Sequence, residues 1–154
     1  MPVIELEMYI HASIETCFDL ARHVDTHTET TKNTQEKAID GVTSGLMEEG
    51  DWVTWEAIHF GIKQQLTAKI TEMNKPYQFT DVMVKGAFHS FTHIHEFVRS
   101  GSGTIMKDRF AYKSPFGFLG MVADKLFLEN YMKKLLKVRA YELKRIAEDQ
   151  EEWW

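Results

Sequence analysis

The chain has 154 residues, 44% hydrophobic and 12% aromatic, with a net charge of −5. That length suits one domain over 1–154 with a single core, and the acidic balance argues against a nucleic-acid partner. Cys17 is the only cysteine, so no intrachain disulfide is expected. The absence of a signal-like start and of any run of roughly 18 apolar residues points to a cytoplasmic protein without a membrane span.

Val3 to Ile10 alternates as a strand, and Ser13 is placed to cap a short helix carrying Ile14, Phe18 and Ala21 at helical spacing. Asp25 to Thr31 is polar and threonine-rich, a second short helix or a loop. Ala38 to Gly41 and Val42 to Leu46 read as one strand with an irregularity at the glycines. Strong strands follow over Asp51–Phe60 and Ile62–Met73, with only Gly61 between them, so their turn must be tight. Asn74-Lys75-Pro76 breaks the chain before strands over Tyr77–Lys85, Phe88–Val98 and Thr104–Lys113. Ser114-Pro115 ends the last strand, because proline lacks the ladder donor. From about Phe116 to Glu148 the period is helical: Leu128, Met132, Leu135, Arg139, Leu143 and Ile146 form a stripe, which Val122 and Leu126 are expected to extend. Hairpin-length links force antiparallel pairing. The predicted fold is α+β: a curved antiparallel sheet of about seven strands wrapped on a long C-terminal helix, with two short helices after the first strand.

The strand Phe91-Thr92-His93-Ile94-His95-Glu96-Phe97 places Phe91, His93, His95 and Phe97 on one face. The returning strand offers Met106, Asp108, Phe110 and Tyr112 at the same period. An aromatic surface with a few polar groups set into it is how a small-molecule cavity is lined. Asp108 should lie across from His93 or His95. A carboxylate on an imidazole fixes its tautomer, giving either a structural or ligand-anchoring pair or an acid/base group. His-x-His is also a metal-binding pattern, with His89 and His59 as further candidates, but no cysteine or glutamate completes a recognised spacing. No metal and no cofactor is expected. Asp81, between Phe79 and Met83 on one strand face, joins this cluster or faces solvent. Gln64 and Leu66 share a face that a cavity would use, as do Trp55 and His59. Val122, Leu126, Tyr131 and Leu135 would form its roof. Phe116 and Phe118, with Gly117 and Gly120, are expected to pack the helix start on the sheet or, as the glycines permit, to form a mobile entrance. Trp153 and Trp154 are frayed or pack on a partner subunit, leaving a monomer or a homodimer.

Five stretches carry a family likeness: Ile14–Arg22, Val53–Gly61, Gly86–Phe97, Gly103–Asp108 and Tyr112–Gly120. With them the chain resembles the START/polyketide-cyclase superfamily of helix-grip proteins (SRPBCC), which includes the birch-pollen allergen, and within it the bacterial single-domain ligand-binding subgroup. One departure is Ala87, where proline is common. The resemblance implies a cavity that binds a small hydrophobic molecule such as a lipid, a polyketide or an aromatic compound. It also implies two alternatives: a cyclase, aromatase or dehydratase using His93, His95 and Asp108 as acid/base groups, or a regulatory protein-interaction module.

Overall fold

Seven antiparallel strands form one sheet in the order β1-β7-β6-β5-β4-β3-β2, as the computed structural model shows for the described residues 2–115 and 117–151. The strands are β1 (Val3–Ile10), β2 (Lys37–Gly41), β3 (Trp52–His59), β4 (Ile62–Asn74), β5 (Gln78–Lys85), β6 (Ser90–Ser100) and β7 (Gly103–Lys113). Two short helices, α1 (Ile14–Ala21) and α2 (Val24–Thr30), follow β1. The chain then runs through β2 to β7 and ends in α3 (Gly117–Ala123), a π-helical segment (Asp124–Leu128) and α4 (Glu129–Glu151). The side chain of Phe118 and all of Phe116, Trp153 and Trp154 lie outside the described residues, as do the roles expected of them.

Local chemistry accounts for the joints. The Ser13 hydroxyl accepts the Thr16 N–H at 3.2 Å and caps α1. The β3–β4 turn is two residues, Phe60 and Gly61, both at positive φ (53° and 74°), the geometry that matches the twist of a hairpin. Register shifts at Thr67/Ala68 and at Ile70/Glu72 interrupt the β4–β5 ladder, and such bulges bend a strand. At Gly120 a Cβ would come within 1.9 Å of the Pro115 carbonyl oxygen. Only glycine lets the start of the C-terminal helix lie this close to the chain leaving β7.

The expected strand over Val42–Leu46 is not formed; β2 stops at Gly41. Val42 still donates to the Trp52 carbonyl, but beyond it the backbone bonds to the helical layer: Val24 donates to the Gly45 carbonyl and Met47 to the Arg22 carbonyl. Arg22 fastens this loop further, donating to the Met47 carbonyl at 3.0 Å and to the Glu48 carboxylate at 2.6 Å.

The core has two parts. One lies beneath α1 and the C-terminal half of α4, built on Phe18, Phe79, Phe97, Ile10 and Leu143. The other, around Tyr112, Phe91, Phe110 and Ile4, lies toward the opposite end of the sheet. α4 is held by α1, α2 and β1, so between the two cores the middle of the sheet and the helix stand apart.

Candidate functional site

That separation is a cavity of about 560 Å³. Its sheet wall takes Trp55, Ala57 and His59 from β3, and Gln64, Leu66 and Ala68 from β4. Phe79 and Asp81 of β5, Phe91, His93 and His95 of β6, and Phe110 of β7 continue it. The helix wall is made by Leu119, Ala123, Phe127, Tyr131 and Leu135 on one row, and by Leu128, Met132, Leu136 and Arg139 on the next. Burying these faces on each other around a space follows from period-2 alternation in the strands and 3.6-residue periodicity in the helix.

The polar wall is assembled by strand register. β7 places Asp108 opposite His95, and β5 places Asp81 opposite His93. One carboxylate oxygen of Asp108 accepts from His93 Nε2 at 3.0 Å and sits 3.1 Å from His95 Nδ1. His95 Nε2 reaches Asp81 at 2.8 Å. His95 therefore faces a carboxylate with each ring nitrogen, which calls for an N–H on both. Burial opposes that charge, but the bonds to Asp108 and Asp81 outweigh it and raise the His95 pKa. For Asp108, burial pushes the carboxyl up, yet the two histidine bonds hold it far below the usual carboxylate range. Asp81 is held low in the same way, by His95 and more weakly by the charge of Arg139. His93 is pushed down, first by burial and then by the neighbouring His95 charge.

A second polar pair lies at the α2 end. His27 Nε2 meets Glu36 at 2.7 Å, with the imidazole stacked on Trp55 at a centroid distance of 4.1 Å. Burial lowers the His27 pKa. Burial works to raise Glu36, but His27 and Arg139 hold it low. Near the β3–β4 turn, His59 Nδ1 and the Tyr131 hydroxyl meet at 2.7 Å, and the Phe60 ring leans on Tyr131 and Phe127. Burial lowers the His59 pKa.

Solved structures of this shape are known although their sequences differ. TTHA0849 of Thermus thermophilus superposes with a TM-score of 0.77 at 18% identity, over 94% of this chain and 95% of that one. CV1439 of Chromobacterium violaceum gives 0.73 at 11% identity, over 95% and 96%. The major latex-like protein 151 of Panax ginseng gives 0.68 at 12% identity, over 95% and 97%. This is the helix-grip fold. No family model matches the chain, and no curated protein matches it in sequence.

On the helix-grip frame, Trp55, His59, Gln64, Leu66, Phe79, Asp81, Phe91, His93, His95 and Phe110 line the cavity. Asp81 joins the polar cluster, resolving the two readings of its strand face. Asp108 stands behind the histidines, at a separate void of about 10 Å³ beside Met106 and Arg139. Phe97 is packed against Phe18 and Phe79 in the first core, and Tyr112 is sealed in the second. Met83 packs beside that second core and does not line the cavity. Val122 and Leu126, expected in the roof, are 41% and 69% exposed. Leu126 and Leu128 sit two apart in the π-helical segment, close to half a turn in direction, so Leu126 points away from Leu128. Its row continues into the exposed Asn130 and Lys133.

Asp81, His93 and His95 bring ligand atoms within 4.8 Å of one another, close enough to surround a metal ion. His95 has a carboxylate at each ring nitrogen, so a metal there would have to displace one of them. The other histidines considered as ligands sit elsewhere: His89 is exposed and His59 is paired with Tyr131. Sequence reasoning missed His27 and Glu36, which no motif links. Arg139 was visible only as a charge inside an apolar stripe.

Proposed function

We propose that this protein binds a small, largely apolar molecule in the cavity between the sheet and the C-terminal helix. The cavity itself carries the reading: about 560 Å³ is within the range of roughly 300–1,000 Å³ typical of small-molecule sites. Leaving apolar walls apart forgoes dispersion contacts that a closed core would gain, and an apolar ligand restores them. Aromatic and aliphatic side chains supply most of the walls, and a few polar groups gathered on β5 and β6 supply orientation. Native mass spectrometry of protein purified from its own source tests this. The expected result is a non-covalent adduct of low mass that organic extraction removes; bare protein alone, unstabilised by any apolar compound, would overturn it.

One observation favours acid–base chemistry as a second reading. A histidine held by a buried carboxylate on one nitrogen, with the ring at a cavity wall, is the arrangement a general base requires. In that case replacing Asp108 by asparagine would lower turnover of a bound substrate by about 100-fold or more without preventing its binding.

A further inference from the structure

We infer that His93 Nδ1 presents a lone pair to the cavity, and that the site selects a neutral ligand bearing a hydrogen-bond donor, a hydroxyl or phenol on an apolar body. This rests on the binding function proposed above and narrows the class of ligand.

Hydrogen-bond accounting places the protons. Asp108 and Asp81 take both nitrogens of His95, at 3.1 and 2.8 Å, so His95 is the imidazolium of the pair. The His93 ring lies on it at a centroid distance of 3.8 Å and a tilt of 31°. A second positive charge at that distance, buried, is repelled, so His93 is neutral. Its one N–H is then on Nε2, because that nitrogen faces the Asp108 carboxylate at 3.0 Å. Nδ1 is left as an acceptor. It bonds no group among the described residues and is not sealed from the open space, and His93 lines the cavity. An acceptor at a largely apolar wall is satisfied by a donor from the ligand or by water.

The surroundings fix the rest of the ligand. The Phe110 ring meets the His93 ring edge to face at 5.3 Å, and Phe91 and Phe88 pack on Phe110 at 5.2 and 6.0 Å. A donor at His93 thus has an aromatic surface beside it for an apolar body. An anionic head is disfavoured at the same place. It would set lone pair against lone pair at Nδ1, close to the ionised Asp81. Arg139 lines the cavity too, but one of its N–H groups goes to the Ala21 carbonyl at 3.3 Å, its Nε is sealed away from any ligand without a partner, and its charge acts at a distance on Asp81 and Glu36.

Three matched probes test this at neutral pH: 2-naphthol, its methyl ether 2-methoxynaphthalene, and 2-naphthoate. The wild-type protein is expected to bind 2-naphthol about three- to tenfold more tightly than the ether, the value of one hydrogen bond, and to bind 2-naphthoate least. His93→Phe keeps a ring there and should bring 2-naphthol down to the level of the ether. Equal binding of naphthol and ether, a preference for naphthoate, or a naphthol preference that survives in His93→Phe overturns the donor assignment but leaves the cavity reading standing. Binding of none of the three overturns both. Nitrogen-15 NMR of the wild-type histidines gives an answer independent of how the variant folds. The His93 signals should show a protonated Nε2 and a bare Nδ1, with Nδ1 shifted by 2-naphthol and not by the ether. A protonated Nδ1 would refute the inference.

Discussion

Replacing Asp108 by asparagine perturbs the polar wall at the atom that holds it together. The carboxylate bonds His93 at 3.0 Å and His95 at 3.1 Å, and its side chain is only 11% exposed. Hydrogen bonds to charged groups contribute about 1.5–3 kcal/mol each, so the two together are worth roughly 3–6 kcal/mol. Asparagine keeps one acceptor oxygen without the charge, and His95 keeps Asp81. The net cost should be about 2–4 kcal/mol, a fall in Tm of roughly 4–16 °C for a chain of this length. The cost should also depend on pH. His95 has its folded pKa raised by these carboxylates, so its contribution is fully present below the unfolded value of about 6.5 and is lost as pH rises through the folded value. Urea denaturation of both proteins across this range measures the difference directly. Asp108→Asn should cost more on the acid side of that window than at alkaline pH. A cost below about 1 kcal/mol, or one that is flat with pH, would refute the assignment of His95 as an imidazolium held between two carboxylates.

Other outcomes follow from the same structure. Leu143→Ala, at a site 3% exposed, should cost about 2–5 kcal/mol, whereas Leu126→Lys, at a site 69% exposed, should stay within about 0.5 kcal/mol; equal costs in chemical denaturation would mean that the helix faces are wrongly assigned. Gly120→Ala drives a methyl group into the Pro115 carbonyl and should lower stability by about 1–3 kcal/mol, with an unchanged Tm contradicting the close approach. Burial lowers the pKa of His27, His59 and His93, so the unfolded chain binds protons first as pH falls from about 6.5. Stability should therefore decline below that pH, before the carboxylates titrate, and a urea midpoint that rises or stays level over this interval would contradict the neutral state of these histidines.

The sheet was legible because alternation survives in the sequence wherever one face is buried. Phe91, His93, His95 and Phe97 fall on one face of β6, opposite Asp108 and its neighbours on β7, as period-2 reading requires. Alternation does not report depth. Phe97, Met106 and Tyr112 share the inward face with His93, yet they fill the cores rather than line the cavity, because the helical layer closes on the sheet near its two ends and stands off its middle. Val42 to Leu46 looked like strand because Val42 and Leu46 are apolar. What decides it is long-range: Val42 still donates to the Trp52 carbonyl of β3, but from Gly45 to Met47 the backbone is taken by Val24 and Arg22 of the helical layer. Val122 and Leu126 are exposed, and their row continues into Asn130 and Lys133 in solvent; the π-helical segment Asp124–Leu128, which breaks the 3.6-residue period between α3 and α4, has no motif in the sequence. His27 and Glu36 meet across a helix end and a 3₁₀ turn, a juxtaposition made by the fold and by no sequence motif.

The central claim is that the space between sheet and helix is a binding site, and filling it tests that claim most directly. Ala57 is 6% exposed and faces the cavity from β3, so Ala57→Trp places an indole inside. Titration with the neutral fluorescent probe N-phenyl-1-naphthylamine should give saturable one-to-one binding to the wild-type protein. In Ala57→Trp the affinity should fall at least about tenfold, equivalent to roughly 1.4 kcal/mol, while the chain still unfolds cooperatively. No saturable binding to the wild type, or equal binding by a folded Ala57→Trp protein, would contradict the account.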